Sequence, residues 1–168
     1  MSVVSNASPM IDLSKIGLFP LLQAVFGHLH ITQAVYDEVV SEETDLPGSA
    51  ELRAAVGEWI SVHSMPPDHE LAAYRQQFSI SRPDASVIVL ARQQHADLVL
   101  IDERELRRAA EDAGLSVIGT GGVLVRAKEL GLIDNVRELL AAAVDTGLRI
   151  SESVQQAVLE AAGELDEA

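Results

Sequence analysis

DLVLIDERELRRAAEDAG, at residues 97–114, is the stretch of sequence that decides the fold. Leu98 to Ile101 form a short apolar run, which is typical of a strand buried on both faces of a parallel sheet. From Asp102 onward apolar residues recur at helical spacing, which predicts a helix that ends at Gly114. A carboxylate therefore directly follows a buried strand. In open α/β sheets ligands and metals bind at this edge, although Asp102 is equally suited to cap the helix.

Strands and helices alternate along the rest of the chain. Short apolar runs end at Ser5, Ile31, His63 and Ile118, and a segment with helical periodicity follows each of them. This alternation predicts an α/β fold in which helices cover both faces of a mostly parallel sheet. The length of 168 residues suits one domain over residues 1–168, with residues 146–168 as a C-terminal helical extension.

Two further segments affect the choice of function. The glycine-rich residues 119–122 lack the lysine of a phosphate-binding P-loop and the spacing of a dinucleotide fingerprint, so we interpret them as a turn between a strand and a helix. The histidines are scattered without metal-ligand spacing, and we assign them to core and surface.

The composition restricts the class of function. The chain has 26 acidic and 12 basic residues, a net charge of −14 and no cysteine. Such a charge repels phosphate backbones and argues against nonspecific coating of nucleic acid, but it allows a small acidic metal site or a basic partner protein. Without cysteine there is no disulfide or thiol chemistry. The amino terminus lacks a signal-peptide pattern and no apolar run approaches a membrane span, which predicts a cytoplasmic location and no membrane partner.

Two more carboxylates fall on faces that turn toward the core. Glu38 lies on the shoulder of a helical apolar stripe, while Asp37 points away from it. Such a glutamate is either a site residue or a side chain that reaches back to solvent. Asp84 lies on the buried side of a helix that begins with the capping signal at Ser81, so it serves as a cap or as a site residue.

If Glu38, Asp84 and Asp102 converge, their mutual repulsion requires a counter-charge. Mg²⁺ or Mn²⁺ supplies it, because these ions prefer oxygen ligands. Metal-held water is a nucleophile, and a phosphodiester is a natural substrate for it. The arginines at 104, 107 and 108 either contact RNA phosphates or form charge pairs along the helix surface.

The sequence resembles PIN-domain proteins of the VapC-like kind, in the branch whose members begin with a segment such as VSNASPLI. Five segments carry the resemblance in the family's order, and they span nearly the whole chain. They are VVSNASPMIDLSKIG (3–17), ITQAVYDEVV (31–40), DASVIVLA (84–91), ADLVLIDERELRRAAEDAGL (96–115) and GTGGVLVRAKELGLI (119–133).

This resemblance implies a three-layer α/β/α PIN-like fold and a metal-dependent endoribonuclease. It also implies the toxin of a toxin–antitoxin pair, a cognate antitoxin protein as partner, and a homodimer. The catalytic residues would be Asn6, Glu38, Asp84 and Asp102, with Glu103 as a fifth candidate. Glu38, Asp84 and Asp102 would bind Mg²⁺ or Mn²⁺, and Asn6 would position a metal-bound water.

Two departures from the family pattern leave an alternative open. Asn6 stands where the usual PIN pattern has a metal-binding aspartate, which removes one negative charge, and Pro83-Asp84 replaces the Gly-Glu of this branch. The alternative is a catalytically impaired PIN scaffold that binds protein or nucleic acid. A receiver-like phosphoacceptor domain is a more distant interpretation, and the absence of a convincing acidic pair after the first strand argues against it.

Overall fold

The structure, a computed structural model, describes residues 1–40 and 46–165, which form five strands and ten helices. The strands are β1 (Val3–Ser5), β2 (Leu29–Thr32), β3 (Ile60–His63), β4 (Leu98–Leu100) and β5 (Val117–Ile118). The helices are α1 (Ala7–Lys15), α2 (Pro20–Phe26), α3 (Gln33–Val39), α4 (Ser49–Ala55), α5 (Asp68–Gln77), α6 (Arg82–Gln93), α7 (Arg104–Asp112), α8 (Thr120–Glu129), α9 (Arg137–Asp145) and α10 (Glu152–Ala161).

The five strands form one parallel sheet in the order β3-β2-β1-β4-β5. Strand β1 is central and pairs with β2 on one side and with β4 on the other. Its apolar residues are fully buried, as expected for a strand covered on both faces. The predicted three-layer α/β/α architecture with a parallel sheet is confirmed.

Local capping signals in the sequence correctly locate three helix starts. The side chains of Thr32, Ser81 and Ser151 accept hydrogen bonds from the backbone N–H groups of the third residues of α3, α6 and α10. Each bond satisfies an N–H group that would otherwise lack a partner in the first turn. These caps fix where α3 and α6, the helices that carry Glu38 and Asp84, begin.

Two helix starts differ from the sequence prediction. Helix α1 begins at Ala7 with Asn6 as its N-cap residue, so Ser8 is not the cap that its position before Pro9 predicts. Helix α8 begins at Thr120, so Gly121 and Gly122 belong to the helix rather than to a turn. Packing explains why residue 121 is glycine within the helix, because a Cβ atom there would lie 2.6 Å from a methyl carbon of Val158.

The prediction of a loop over residues 42–49 is only partly within the described residues. Residues 42–45 lie outside them, and helix α4 begins at Ser49.

Of the predicted C-terminal extension, the described part contains α10, which packs on α8. The division of the chain at residue 146 stays a prediction. None of the helices in residues 1–40 and 46–165 is both long and apolar enough to cross a membrane.

Candidate acidic site at the sheet edge

The site lies where the carboxyl ends of β1 and β4 meet. Ser5 pairs with Leu100 in the sheet, and the backbone N–H of Asn6 donates a hydrogen bond of 3.0 Å to the carbonyl oxygen of Leu100. The residues that follow the two strands, Asn6 on one side and Asp102 and Glu103 on the other, are therefore neighbours. The connections from β1 and β4 leave in opposite directions here, and this is where open parallel sheets form a ligand crevice.

Asp84 and Glu103 form the centre of this site. Asp84 lies in the first turn of α6, and its carboxylate accepts hydrogen bonds from Ser81 and from the amide of Asn6 and lies beside the carboxyl group of Glu103. Burial raises the pKa of Asp84, and these hydrogen bonds oppose the rise. Partial burial of its carboxyl group and the charges of Asp84 and Asp102 raise the pKa of Glu103, and a hydrogen bond of 3.2 Å from the hydroxyl group of Ser8 opposes the rise.

Glu38 approaches the pair from α3. Although the side chain is exposed overall, partial burial of its carboxyl group raises its pKa, and the charges of Asp84 and Glu103 raise it further. Helix α3 is held close by a hydrogen bond of 2.9 Å between the hydroxyl groups of Thr32 and Ser86, which joins its N-terminus to α6. The structure thus places Glu38 and Asp84 close enough for their charges to interact.

Asn6 contributes an oxygen atom without a partner. The residue is 1% exposed, and among the described residues its Oδ1 atom accepts no hydrogen bond. A buried acceptor without a donor costs about 1–3 kcal/mol, so this atom is available for a ligand. The amide group of the same side chain donates to Asp84, so the free oxygen lies beside the pair formed by Asp84 and Glu103.

Asp102 is held by the first residue of α8. Its Oδ1 atom accepts a hydrogen bond of 2.8 Å from the backbone N–H of Thr120, and its Oδ2 atom accepts one of 2.7 Å from the hydroxyl group of Thr120. Burial raises the pKa of Asp102, while Thr120 and Arg107 lower it. The N-cap residue of α7 is Glu103, so Asp102 does not cap α7 as one interpretation of the sequence has it. It instead binds the first residue of α8.

Asp84, Glu103 and Asn6 supply part of the ligand set of a divalent cation such as Mg²⁺. In the described part of the chain, no three aspartate, glutamate, histidine or cysteine side chains are placed as a complete ligand set. Mg²⁺ is commonly bound through one or two carboxylates while it keeps several waters, so a complete protein cage is not required. The adjacent carboxylates of Asp84 and Glu103 repel each other, which favours a positive charge between them, and the free oxygen of Asn6 adds a neutral ligand.

The sequence reasoning missed Asp12. This residue lies on α1, is 9% exposed, and lines a cleft of about 550 Å³ together with Asp102 and Glu103. Burial and the charge of Asp102 raise its pKa to about 6, and Lys15 opposes the rise. Asp12 lies four residues before Ile16, so the two residues share a helix face. In the sequence, this position beside an apolar residue was the signal that Asp12 turns toward the core.

We expect Asp12→Asn to stabilise the protein at pH 7.5 by up to about 3 kcal/mol, because burial disfavours the ionised carboxylate and raises its pKa from 3.8 to about 6. Because the pKa of Asp12 is higher in the folded state than its ordinary value of 3.8, the folded state binds more protons between pH 3.8 and about 6. Stability therefore falls as the pH rises through this window, and the full loss is present above it. Urea unfolding of both proteins at pH 7.5 and pH 3.5 measures the difference, which should nearly vanish at the lower pH. Equal stability at pH 7.5 would contradict the expectation.

Comparison with known proteins gives one informative result. The family model DUF3368, described as a PIN domain, matches residues 2–164. A search of curated proteins finds no match to the chain. The family match covers every residue of the acidic site described above.

Proposed function

Because this chain belongs to the PIN-domain family, whose members are generally nucleases, we propose that it is a Mg²⁺- or Mn²⁺-dependent endoribonuclease. One observation supports this most strongly. The carboxyl groups of Asp84 and Glu103 lie together next to the unpartnered oxygen of buried Asn6, at the edge of a parallel sheet. A divalent cation is the ligand that best relieves the repulsion between them, because it neutralises both carboxylates at once.

In this proposal Asp84, Glu103 and the oxygen of Asn6 would hold the cation, and Glu38 approaches Asp84 and Glu103 from α3. When bound, the cation supplies Lewis-acid activation of water and offsets charge on the phosphate oxygens. Glu38 accepts the proton of the attacking water, for which its raised pKa suits it. The water oxygen forms a bond to phosphorus while the bond from phosphorus to the leaving sugar oxygen breaks. Asp102 positions Glu103, because its bonds to Thr120 fix the chain between β4 and α7.

The finer parts of the proposal concern the biological setting. We infer that the protein is the toxin of a toxin–antitoxin pair, acts in the cytoplasm as a homodimer, and is neutralised by a cognate antitoxin. Support comes from the family resemblance and from the net charge of −14, which favours a basic partner protein.

The test of the proposed function is RNA cleavage that depends on metal and on Glu38. We expect EDTA to stop cleavage of structured RNA and added Mg²⁺ or Mn²⁺ to restore it. Glu38→Gln should lower the rate by at least about a hundredfold, since it removes the general base. Asp37→Asn is the matched control, because Asp37 is the preceding residue on α3, is exposed, and accepts a hydrogen bond from Gln33. Equal residual cleavage in the two variants would indicate a contaminating nuclease.

Asn6 also favours a second candidate, a catalytically impaired scaffold that binds RNA or protein. The missing carboxylate at position 6 reduces the negative charge available to a cation. The same assay separates the two candidates. RNA binding without metal-dependent cleavage would favour the impaired scaffold.

The cleft beside Glu103 is suited to hold the RNA backbone. Arg104 and Arg149 line it, and both side chains are exposed. Among the described residues, neither guanidinium group has a carboxylate within ion-pair distance. By contrast, Arg108 pairs with Glu105 at 2.9 Å, as the alternative interpretation of the helix charges predicts. Two unpaired arginines beside the acidic site of an acidic protein are candidates for phosphate contacts.

We expect the double variant Arg104→Gln/Arg149→Gln to bind a short unstructured RNA at least about tenfold more weakly, because it removes two phosphate contacts. Each such contact contributes about 0.7 to the slope of log K against log salt concentration for binding to single strands. Fluorescence anisotropy in EDTA, at several salt concentrations, measures binding without cleavage. The control is Arg53→Gln/Arg75→Gln, which removes the same charge from exposed residues of α4 and α5. Equal losses in both double variants would mean that only the net charge matters.

A further inference from the structure

The fold brings together histidines that lie far apart in the sequence. In the parallel pairing of β2 with β3, His30 is opposite Ser61 and Thr32 is opposite His63. His30 and His63 are therefore diagonal neighbours on one face of the sheet. Their ring nitrogens, Nδ1 of His30 and Nε2 of His63, are 2.9 Å apart. Both rings are half-buried, and β3 is the last strand of the sheet, so the pair is accessible from solvent.

The pair has no acidic partner that would explain it as an ion pair. Within residues 1–40 and 46–165, no salt bridge joins a carboxylate to His30 or His63. A third ring, His28, lies 4.9 Å from the His30 ring, and its Nε2 atom is 2.8 Å from the hydroxyl oxygen of Ser61. Burial lowers the pKa of His30, and His28 and His63 lower it further. At neutral pH His30 is therefore uncharged, which is the form of imidazole that binds metals.

We propose that His30 and His63 form a binding site for a divalent transition-metal ion such as Zn²⁺, separate from the acidic site and completed by water. Two nitrogen ligands at about 2.0–2.1 Å from zinc lie roughly 2.9 Å apart at a right angle and 3.4 Å apart at the tetrahedral angle. The observed 2.9 Å between Nδ1 and Nε2 is at the short end of that interval. In the hydrogen bond the two nitrogens point at each other, so each ring must turn by about 45° to direct its lone pair at one ion that both bind at a right angle.

Binding requires one proton to move. In the neutral pair one of the two facing nitrogens carries a hydrogen atom, and this ring must carry it on its other nitrogen when both bind the ion. That change is a tautomerisation with no change in net charge. His28 is not assigned as a ligand, because it is bound to Ser61 and no three such side chains in the described residues are placed as a ligand set. Imidazole ligands select Zn²⁺, Ni²⁺ and Cu²⁺ over Mg²⁺, so the two sites take different metals.

Zinc titration with direct observation of the histidine rings tests the site. Long-range proton–nitrogen NMR spectra of the wild-type protein are recorded with Zn²⁺ in the presence of millimolar Mg²⁺, which occupies the carboxylates. We expect the facing nitrogens of His30 and His63 to shift to metal-bound values at one ion per chain. The rings of His69 and His95 should not shift.

A matched pair of variants provides the control. His63→Gln should weaken zinc binding by at least about a hundredfold, since loss of a direct ligand exceeds loss of an outer-shell contact. His69→Gln, at an exposed position on α5, should bind zinc as the wild type does. Unchanged His30 and His63 signals in zinc, or equal losses in both variants, would overturn the proposal. The wild-type spectra decide the question even if a variant folds poorly.

Discussion

Replacing Glu103 by glutamine is expected to lower the rate of metal-dependent RNA cleavage by at least about a hundredfold. Glu103 lies beside Asp84; partial burial raises the pKa of both carboxyl groups, and the charge of Asp84 raises that of Glu103 further. Glutamine keeps the size of the side chain but removes the charge that a cation would neutralise. Loss of a direct ligand should exceed the tenfold to hundredfold losses typical of outer-shell contacts. Initial cleavage rates over a range of Mg²⁺ concentrations measure the effect.

The adjacent residue supplies the control for this prediction. Asp102→Asn should lower the rate by about tenfold or less, because both oxygens of Asp102 are already bound by Thr120 and asparagine can still accept the bond from the backbone N–H. If Asp102→Asn instead removes activity and Glu103→Gln does not, then Asp102 is the ligand and the position of Glu103 is incidental.

Replacing Asn6 by aspartate is expected to destabilise the metal-free protein by on the order of 3 kcal/mol, as for other uncompensated buried charges. Position 6 is almost completely buried, and the amide of Asn6 donates a hydrogen bond to Asp84. Aspartate removes that donor and adds repulsion toward Asp84 and Glu103. Mg²⁺ should reverse the loss, because a site with one more carboxylate binds the cation more tightly and binding stabilises the folded state.

Thermal unfolding in EDTA and in millimolar Mg²⁺ measures both parts of this expectation. The control is Asn135→Asp, at the other asparagine of the chain, whose side chain accepts a hydrogen bond from the backbone N–H of Glu138 near the start of α9. An aspartate accepts the same bond, so its melting temperature should change little in either condition. If Mg²⁺ stabilises Asn6→Asp no more than it stabilises the wild type, then position 6 does not face a cation.

Features that depend on neighbouring residues could be predicted from the sequence. The buried run before Asp102 indicated a parallel strand, and Thr32 and Ser81 indicated where α3 and α6 begin. These features follow from apolar periodicity and capping, which act over a few residues. Together they identified the sheet edge and placed Glu38 and Asp84 at it.

Features that depend on long-range register could not be predicted in this way. Asp102 and Glu103 are consecutive, and the choice of which one to assign as a metal ligand depends on the contact of Asp102 with Thr120. Thr120 lies on a helix after the next strand. The proximity of His30 and His63 likewise depends on the register between β2 and β3. A change of one residue in that register would move His63 to the opposite face of the sheet.

The central claim is that the carboxylates at the edge of the sheet bind one divalent cation. Electron paramagnetic resonance of Mn²⁺ tests it most directly, because the sharp signal of the free ion is lost when the ion binds to protein. For the wild-type protein we predict loss of the signal at one Mn²⁺ per chain and recovery of the signal with excess Mg²⁺. In Asp84→Asn the free-ion signal should persist at the same concentrations. An undiminished signal with the wild type, or equal binding by Asp84→Asn, would contradict the claim.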